Sequence, residues 1–184
     1  MLIQSLLADP EITYTGQELQ AHWIYRNFNI LGDAIVTFIG PCQVAGESLV
    51  DEEDRKKGDF IHSEKMLHLI VEHFSLPLRQ AVLRQRLLIF LIQELLNQEE
   101  PRITRSGDDL FYLKRKLSVS IATVSAVSSL IHIGLNISSK NTPLPTANLL
   151  ELDIKPRRFA EQIMSSYQNE LSEMEQAICK VKGV

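Results

Sequence analysis

Hydrophobic residues recur with a helical period in two long segments of the chain. From about Leu78 to Asn97, and most densely from Leu87 to Leu96, apolar side chains cover most of the helix circumference, which is typical of a helix buried against a sheet. A second helix is predicted to start at Pro156, because proline fits the first turn of a helix. One side of this helix is apolar and carries Phe159, Ile163, Tyr167, Leu171, Met174 and Ile178.

The segment between Ser63 and Pro77 predicts a further helix. Ser63 is suited to cap its first turn, and Pro77 ends it. The apolar positions follow the i, i+3, i+4, i+7 pattern of an amphipathic helix and are Leu67, Ile70, Val71 and Phe74.

The first 50 residues predict strands and turns. The run from Ala34 to Ile39 is rich in β-branched residues and is bounded by Gly32-Asp33 and Gly40-Pro41, which indicates a short buried strand. The charged run from Asp51 to Lys57 is interpreted as a solvated, exposed loop or strand end.

Two later segments alternate between aliphatic and small or polar residues, which predicts an antiparallel strand pair. They run from Leu117 to Ala122 and from Leu130 to Ile137. Small residues on a sheet face leave room for a ligand, although such a face could also simply meet water. We predict one concave face lined by Ser118, Ser120, His132 and Asn136. The opposite face is expected to pack against the helix at 78–97 and carries Val119, Ile121, Ile133 and Leu135.

Composition and charge restrict the class of protein. With 184 residues, of which 45% are hydrophobic and 23% charged, the chain is expected to form one domain over residues 1–184. A formal net charge of −4 argues against general nucleic-acid binding, which needs a basic face. The longest apolar run, from Leu87 to Ile92, is too short for a bilayer, which needs about 20 residues. Cys42 and Cys179 show no metal-ligand spacing, so we expect a reduced, cytoplasmic protein, with a homodimer left open.

Candidate chemistry is concentrated near Lys116. Ser-Gly-Asp-Asp occupies 106–109, Lys116 follows Asp109 by seven residues, and the second strand ends in His-Ile-Gly-Leu-Asn at 132–136. Taken locally, Lys116 belongs to an exposed Lys-Arg-Lys trio and the two aspartates are turn residues. An ammonium group also neutralises the oxyanions of acyl transfer, and Asp108 and Asp109 suit a Mg²⁺ ion that carries phosphate. The residues alone leave both interpretations open.

Arg26 and His132 are further candidates for ligand contacts. Arg26 could clamp a phosphate or a carboxylate. His132 could bind a ligand carboxylate or act as acid or base, or it could be a hydrogen-bonded structural histidine. The aromatic residues near Arg26, Trp23 and Tyr25, are interpreted as packing residues before ring-stacking ones.

The order of these parts resembles the heart of the biotin and lipoate protein ligases. That superfamily has a Pro-Asn-Asp-Leu motif, a lysine seven residues later and a terminal Gly-x-Asn on a strand. Here Asp109 and Lys116 keep the interval, and Gly134 and Asn136 keep the ending. The resemblance implies that Lys116 holds the carboxylate of an acid and the phosphate of its adenylate, with Asn136 as a polar contact. It also implies ATP and Mg as candidate cofactors, with Asp108 and Asp109 placing the lysine, the nucleotide and the metal.

The chain departs from the ligase pattern at several positions. Gly107 stands in place of the proline, Asp108 in place of the amide, and His132 where the family has glycine. The Gly- and Arg-rich loop that cradles the adenylate in the ligases has no counterpart, because Gly32, Gly40 and Gly46 are dispersed. We therefore expect any nucleotide binding to be weaker or differently posed than in the ligases.

From about Tyr14 to Ile178 the chain is also similar to an archaeal and bacterial family, domain of unknown function 366. The shared runs include His-Trp-x-Tyr-Arg-Asn-Phe at 22–28, Ile-Leu-Gly-Asp at 30–33 and Arg-Lys-Leu-Ser-Val-Ser-Ile-Ala-Thr at 115–123. The two resemblances imply an α+β domain with a mixed, mainly antiparallel sheet covered by helices on one face, as in the ligases and the class II aminoacyl-tRNA synthetases.

These resemblances predict an enzyme that binds a small carboxylate or a nucleotide-like ligand. The specific reaction that they suggest is that of an acyl-adenylate-forming ligase or transferase. The alternative is a non-catalytic ligand-binding or interaction protein that kept the ligase scaffold without ATP chemistry. The expected partner is a small molecule in both cases.

Overall fold

The computed structural model describes residues 3–99, 102–140 and 145–183. The strands within these ranges are β1 (Gln4–Leu7), β2 (Ala34–Ala45), β3 (Phe60–Phe74), β4 (Ile103–Ser106), β5 (Asp109–Tyr112), β6 (Arg115–Lys116), β7 (Ser118–Val124) and β8 (Ser128–Asn136). The α-helices are α1 (Trp23–Phe28), α2 (Glu52–Lys57), α3 (Leu78–Glu99) and α4 (Pro156–Lys180). Short 3-10 helices occur at Gly46–Ser48 and Leu150–Leu152.

Five strands form the main sheet in the order β1-β2-β3-β8-β7. β1 runs parallel to β2, and every other neighbouring pair in this sheet is antiparallel. The short strands β4, β5 and β6 form a separate antiparallel sheet. The helices α3 and α4 share one hydrophobic core with one face of the main sheet, as the contacts of Leu88, Ile163 and Ile133 illustrate. The predicted mixed, mainly antiparallel sheet is thus confirmed, and the two long helices cover one face of it.

The other face of the main sheet is covered by the N-terminal segment. Tyr14, Trp23 and Ile24 pack there against Phe38 and Ile70. The chain approaches β2 so closely that a Cβ atom on residue 40 would collide with the backbone carbonyl of Ile12, and this explains the glycine at that position. This second layer encloses the residues that are described below as a candidate site.

The segment at 63–74 is a strand, so the helix predicted there is wrong. β3 lies between β2 and β8 in the middle of the sheet, and both of its faces are covered. A strand buried on both sides has no polar alternation, and its apolar run can match helical spacing by coincidence. Ser63 is therefore not a helix cap and instead pairs with Cys42 across the sheet.

The structure corrects two other predictions for the N-terminal half. Residues 23–28 form the helix α1 within a region predicted as strands and turns. The charged run at 51–57 is exposed, as expected, but it forms the helix α2 rather than a loop. The side chain of Asp51 caps α2 by accepting hydrogen bonds from the backbone N–H groups of Glu53 and Asp54, at 2.8 and 3.2 Å. Acidic residues in the first turn and basic residues in the last also favour this helix.

Other predicted elements are confirmed. The strand expected at Ala34–Ile39 is present and continues to Ala45, and the helices expected from Leu78 and from Pro156 are α3 and α4. In α4 the predicted apolar side is buried at its first four positions, up to Leu171. Met174 and Ile178 are exposed, since this end of the helix extends past the core. None of the described helices is long and apolar enough to cross a membrane.

The predicted strand pair is present as β7 and β8, but its two faces combine differently than expected. Ser120 pairs directly with Ile133, and Ile121 pairs with His132. Directly opposed residues share a face, so Ser118 and Ser120 lie on the helix side with Ile133 and Leu135. Val119 and Ile121 lie on the other side, which they share with His132 and Asn136. The predicted grouping of Ser118 and Ser120 with His132 and Asn136 is therefore wrong.

Candidate functional site

The β4–β5 hairpin turns at Gly107 and Asp108, the two residues that connect Ser106 to Asp109. Gly107 has a φ of 64°, a left-handed conformation that favours glycine. A Cβ atom at this position would also lie 2.8 Å from Nη1 of Arg86 on α3. The turn is therefore held close to α3, and the glycine found in place of the ligase proline has a local structural reason.

The carboxylate of Asp108 is held by three side chains. Gln85 Nε2 donates to it at 3.0 Å, Ser120 Oγ donates at 2.8 Å, and Arg86 Nη2 lies 3.2 Å from its other oxygen. These contacts connect the hairpin to α3 and to β7. They also occupy the carboxylate of Asp108, which is one of the two predicted magnesium ligands. Within the described ranges, no group of three or more His, Cys, Asp or Glu side chains is placed to hold a metal ion.

Lys116 and Asp109 form an ion pair across the next hairpin. Nζ of Lys116 lies 2.9 Å from Oδ2 of Asp109, and both side chains are partly exposed. β5 and β6 are joined by Leu113 and Lys114, which both have positive φ, at 48° and 67°. This is the conformation of a type I′ turn, which suits a two-residue hairpin although neither residue is glycine. The tight turn brings the residues seven positions apart into contact.

Lys116 borders a cleft of about 310 Å³ beside the edge of the main sheet. We refer to it as the Lys116 cleft; its other lining residues include Phe60, Ile61, Ser63, Met66, Val119 and Asn136. Asn136 is 7% exposed and donates from Nδ2 to the carbonyl of Ala147 at 3.2 Å. An ammonium and an amide thus lie beside an apolar surface, which is the usual composition of a small-molecule site.

Ser63 also lines the Lys116 cleft and was not identified from the sequence. It is 2% exposed, and its Oγ has no hydrogen-bond partner in the described part of the chain. Most buried hydroxyls are hydrogen-bonded, because burying an unpaired one is unfavourable. Among the described residues, Ser63 Oγ is therefore a buried, unpaired hydroxyl beside the cleft, whereas the hydroxyl of Ser118 is used by the backbone N–H of Leu110 at 2.9 Å.

Acidic residues form part of the border of the cleft. Asp54 and Asp59 line it, and Asp51 lies on the same helix turn as Asp54. Partial burial raises the pKa of Asp54, and the charges of Asp51 and Asp59 raise it further, while Lys57 and Lys116 act in the opposite direction. A phosphate chain needs an excess of cations or N–H donors. A phosphate chain carries several negative charges where a carboxylic acid carries one, and a single ammonium that is paired with Asp109 and has Asp54 and Asp59 nearby does not compensate them, so these residues do not fit a bound nucleotide.

A smaller cavity of about 80 Å³ adjoins the cleft and shares Asp54, Ile61 and Val119 with it. We refer to it as the His132 cavity; its other lining residues include Tyr14, Val44, Leu49, Ser120, Ile121 and His132. Its surface is mainly apolar. Although Ser118 and Ser120 lie on the helix side of the sheet, Ser118 also lines the Lys116 cleft and Ser120 the His132 cavity.

Arg26 lies apart from these two spaces. It is an exposed residue of α1 and does not line the Lys116 cleft or the His132 cavity. Trp23 is buried and packs on Phe38 with 5.9 Å between ring centroids, while Tyr25 is 45% exposed. The structure thus brings together Lys116, Asp109 and Asn136, places His132 nearby and Asp108 behind the hairpin, and leaves Arg26 outside.

Comparisons with known proteins agree with this architecture. A family model described as "Domain of unknown function (DUF366)" matches residues 3–182. "Uncharacterized protein MJ0805" of Methanocaldococcus jannaschii is 35% identical in an alignment of 176 residues that covers 92% of this chain and 80% of the relative. A solved structure, "Protein of Unknown Function from Pyrococcus horikoshi", is 39% identical, covers 99% of both chains and superposes with a TM-score of 0.93.

The fold is also that of the ligases. The biotin protein ligase from Aquifex aeolicus, solved in complex with biotin and ATP, superposes with a TM-score of 0.62 at 13% identity. The match covers 94% of this chain and 72% of the ligase. The expected α+β fold of the biotin and lipoate ligases and the class II synthetases is therefore confirmed.

Proposed function

The chain belongs to the family described as Domain of unknown function (DUF366), and we propose that it binds a small carboxylic acid in the Lys116 cleft. The observation that carries this proposal is the position of the Lys116 ammonium beside an apolar cleft that also holds Asn136 and Ser63. A carboxylate can accept hydrogen bonds from all three side chains, and a partly desolvated ammonium binds it more strongly than in water.

The ligase likeness supports the same kind of ligand. The Aquifex aeolicus ligase is in complex with biotin, a carboxylic acid, and with ATP. In this chain Asp109 lies within 2.9 Å of Lys116 and would position the ammonium, whereas Asp108 is engaged on the far side of the hairpin. We therefore assign Lys116 to the carboxylate and Asp109 to the orientation of Lys116.

Acyl-adenylate ligase or transferase chemistry is the enzymatic form of this proposal. The acidic border formed by Asp51, Asp54 and Asp59 does not suit the phosphates that such a reaction needs. This border supports the second candidate, a ligand-binding protein that kept the ligase scaffold without ATP chemistry. We therefore propose carboxylate binding with no nucleotide-dependent step.

Matched probes test the carboxylate assignment. Octanoate, lipoate and biotin would each be compared with its own uncharged amide by thermal shift and titration calorimetry, since a specific ligand raises the melting temperature. We expect at least one acid to stabilise the protein more than its amide. Lys116→Ala should weaken this binding at least about tenfold, because a charge-assisted hydrogen bond is lost.

Lys114→Ala is the matched control, since Lys114 is an exposed lysine in the turn next to Lys116. It should bind the acid as the unmodified protein does. Equal affinity for acids and amides, no response to any acid, or unchanged binding in a folded Lys116→Ala variant would overturn the proposal. Calorimetry with Mg-ATP adds a second test, because sub-micromolar binding would show that the cleft accepts a nucleotide.

A further inference from the structure

Two buried histidines interact on the side of the sheet that faces the His132 cavity. His68 of β3 and His132 of β8 are 0% and 3% exposed, and His68 Nδ1 lies 3.1 Å from His132 Nε2. Tyr14 stacks on His132 and Phe38 stacks on His68, with ring centroids 3.7 and 4.9 Å apart. Burial lowers the pKa of His68 to about 4 and that of His132 well below its ordinary value. Both rings are therefore neutral at pH 7.

The hydrogen-bond partners determine which ring nitrogens carry protons. A neutral imidazole has one N–H donor and one acceptor nitrogen. His68 Nε2 lies 3.3 Å from the carbonyl oxygen of Gly40, and since a carbonyl oxygen can only accept, Nε2 carries the proton of His68. His68 Nδ1 is then an acceptor, and the proton between the rings must come from Nε2 of His132. This leaves His132 Nδ1 as an acceptor.

His132 Nδ1 makes no hydrogen bond with the described residues, although its ring lines the His132 cavity. A buried histidine that is present for packing alone normally has both nitrogens paired. We infer that His132 Nδ1 is the acceptor of a specificity subsite, which takes an uncharged N–H or O–H donor group of the ligand. The apolar walls, with Val44, Leu49 and Ile121, favour a small ring or chain around that donor.

The subsite excludes anions, because a carboxylate or phosphate would turn its lone pairs towards the lone pair of a neutral ring. This inference depends on the proposed function in one respect, which is that the carboxylate of the ligand binds at Lys116. It describes a ligand with two unlike ends: an acid in the Lys116 cleft and an uncharged hydrogen-bond donor in the His132 cavity. The histidine then selects among acids that Lys116 alone would not distinguish.

Nitrogen-detected NMR of the ¹⁵N-labelled protein tests the proton positions without a ligand. Long-range ¹H–¹⁵N correlations distinguish protonated from bare ring nitrogens. We expect His132 to be protonated at Nε2 and bare at Nδ1, and His68 to be protonated at Nε2, with no change between pH 6 and 8. A proton on His132 Nδ1, or a His132 ring that titrates in this range, would overturn the inference.

Pyrrole and furan test the subsite, because the two rings have nearly the same size and only pyrrole has an N–H donor. With the full chain at millimolar probe concentrations, pyrrole should shift His132 Nδ1 saturably and bind about fivefold more tightly than furan, as one net hydrogen bond predicts. His132→Phe keeps the ring stacked on Tyr14 but removes the acceptor, and it should abolish this preference. Equal responses to the two probes, or no response to either, would overturn the inference. Neither probe has a carboxylate, so failure here leaves the Lys116 assignment unaffected.

Discussion

The ammonium of Lys116 lies 2.9 Å from the carboxylate of Asp109, and this ion pair follows from the geometry of one hairpin. Lys116 is directly opposite Phe111, and Asp109 precedes Phe111 by two residues, so its side chain is on the same face of the strand. The seven-residue interval in the sequence thus allows a diagonal contact across this hairpin. Any carboxylate ligand of Lys116 must share the ammonium with Asp109.

Replacing Asp109 by Asn tests its role in positioning Lys116. Stability should change by no more than about 0.5 kcal/mol, because an ion pair exposed to this extent contributes little. Affinity for the carboxylate probe should fall about threefold, which is less than in Lys116→Ala, because the ammonium remains but is no longer held. Calorimetry on both variants measures the difference. Tighter binding in Asp109→Asn would identify Asp109 as a competitor of the ligand.

Replacing Asp108 by Ala should destabilise the fold, in contrast to the change at Asp109. Gln85 is 3% exposed and donates to Asp108 at 3.0 Å, so its amide would lose a buried partner. A loss of about 1–3 kcal/mol in the free energy of unfolding is expected. Urea denaturation measures it, with Glu47→Ala as an exposed acidic control that should change little. Equal stability of both variants would show that the hairpin is not held through Asp108.

The elements that were predicted correctly from the sequence are those whose hydrophobic pattern fits either a helix or a strand, but not both. α3, α4 and the strand from Ala34 have long or clearly bounded apolar runs. β3 was missed because a central strand buried on both faces shows no alternation. The assignment of β7 and β8 residues to the two faces of the sheet was wrong for a different reason. Alternation divides each strand into two sets of side chains, but the pairing register decides which set of β7 shares a face with which set of β8. Ser120 lies on the helix side because Gln85 and Asp108 supply polar partners there.

Ser63 and Ser118 give a matched pair for the cleft. Both are buried, but Ser118 Oγ accepts from the backbone N–H of Leu110 at 2.9 Å and Ser63 Oγ has no partner within the described ranges. Ser118→Ala should therefore lower the free energy of unfolding by about 1–3 kcal/mol, because a buried N–H is left unpaired. Ser63→Ala should be neutral or stabilising, by up to about 1 kcal/mol. Denaturation curves of the two variants decide the matter, and a large loss from Ser63→Ala would mean that its hydroxyl is already satisfied.

Such a site residue could not be found from sequence. The run around Ser63 matches a helix start, and an unpaired hydroxyl is a property of the folded surroundings rather than of the residue. His68 and Asp54 were missed for the same reason, since each belongs to the site only through a partner from a distant segment. His132 was identified as a candidate, but its pKa is lowered by burial in the folded protein and further by His68, which is 64 residues away.

Stability should fall on acidification because His68 is buried as a neutral ring. Its pKa is lowered from 6.5 to about 4 by burial, so the unfolded chain takes up a proton at a higher pH than the folded chain. The contribution of His68 to the free energy of unfolding is therefore fully present above about pH 6.5 and decreases between pH 6.5 and 4. Below about pH 4 this group causes no further loss. The loss from His68 amounts to roughly 3 kcal/mol at about 1.4 kcal/mol per pH unit. Urea denaturation at intervals from pH 7.5 to 4 measures it.

His68→Gln removes the titrating ring but keeps an amide donor for the carbonyl of Gly40. This variant should be less stable at pH 7.5, yet its stability should decline less between pH 6.5 and 4, because the contribution of His68 is gone while that of the buried His132 remains. His22→Gln, at an exposed position, should decline as the unmodified protein does. Parallel pH profiles for all three proteins would mean that the pKa of His68 is the same in the folded and the unfolded chain, so that burial does not keep the ring neutral on acidification. The proton positions assigned to the His68–His132 pair would then hold only above the ordinary pKa of histidine, because an imidazolium formed at His68 on acidification would donate from Nδ1 and require His132 Nε2 to accept.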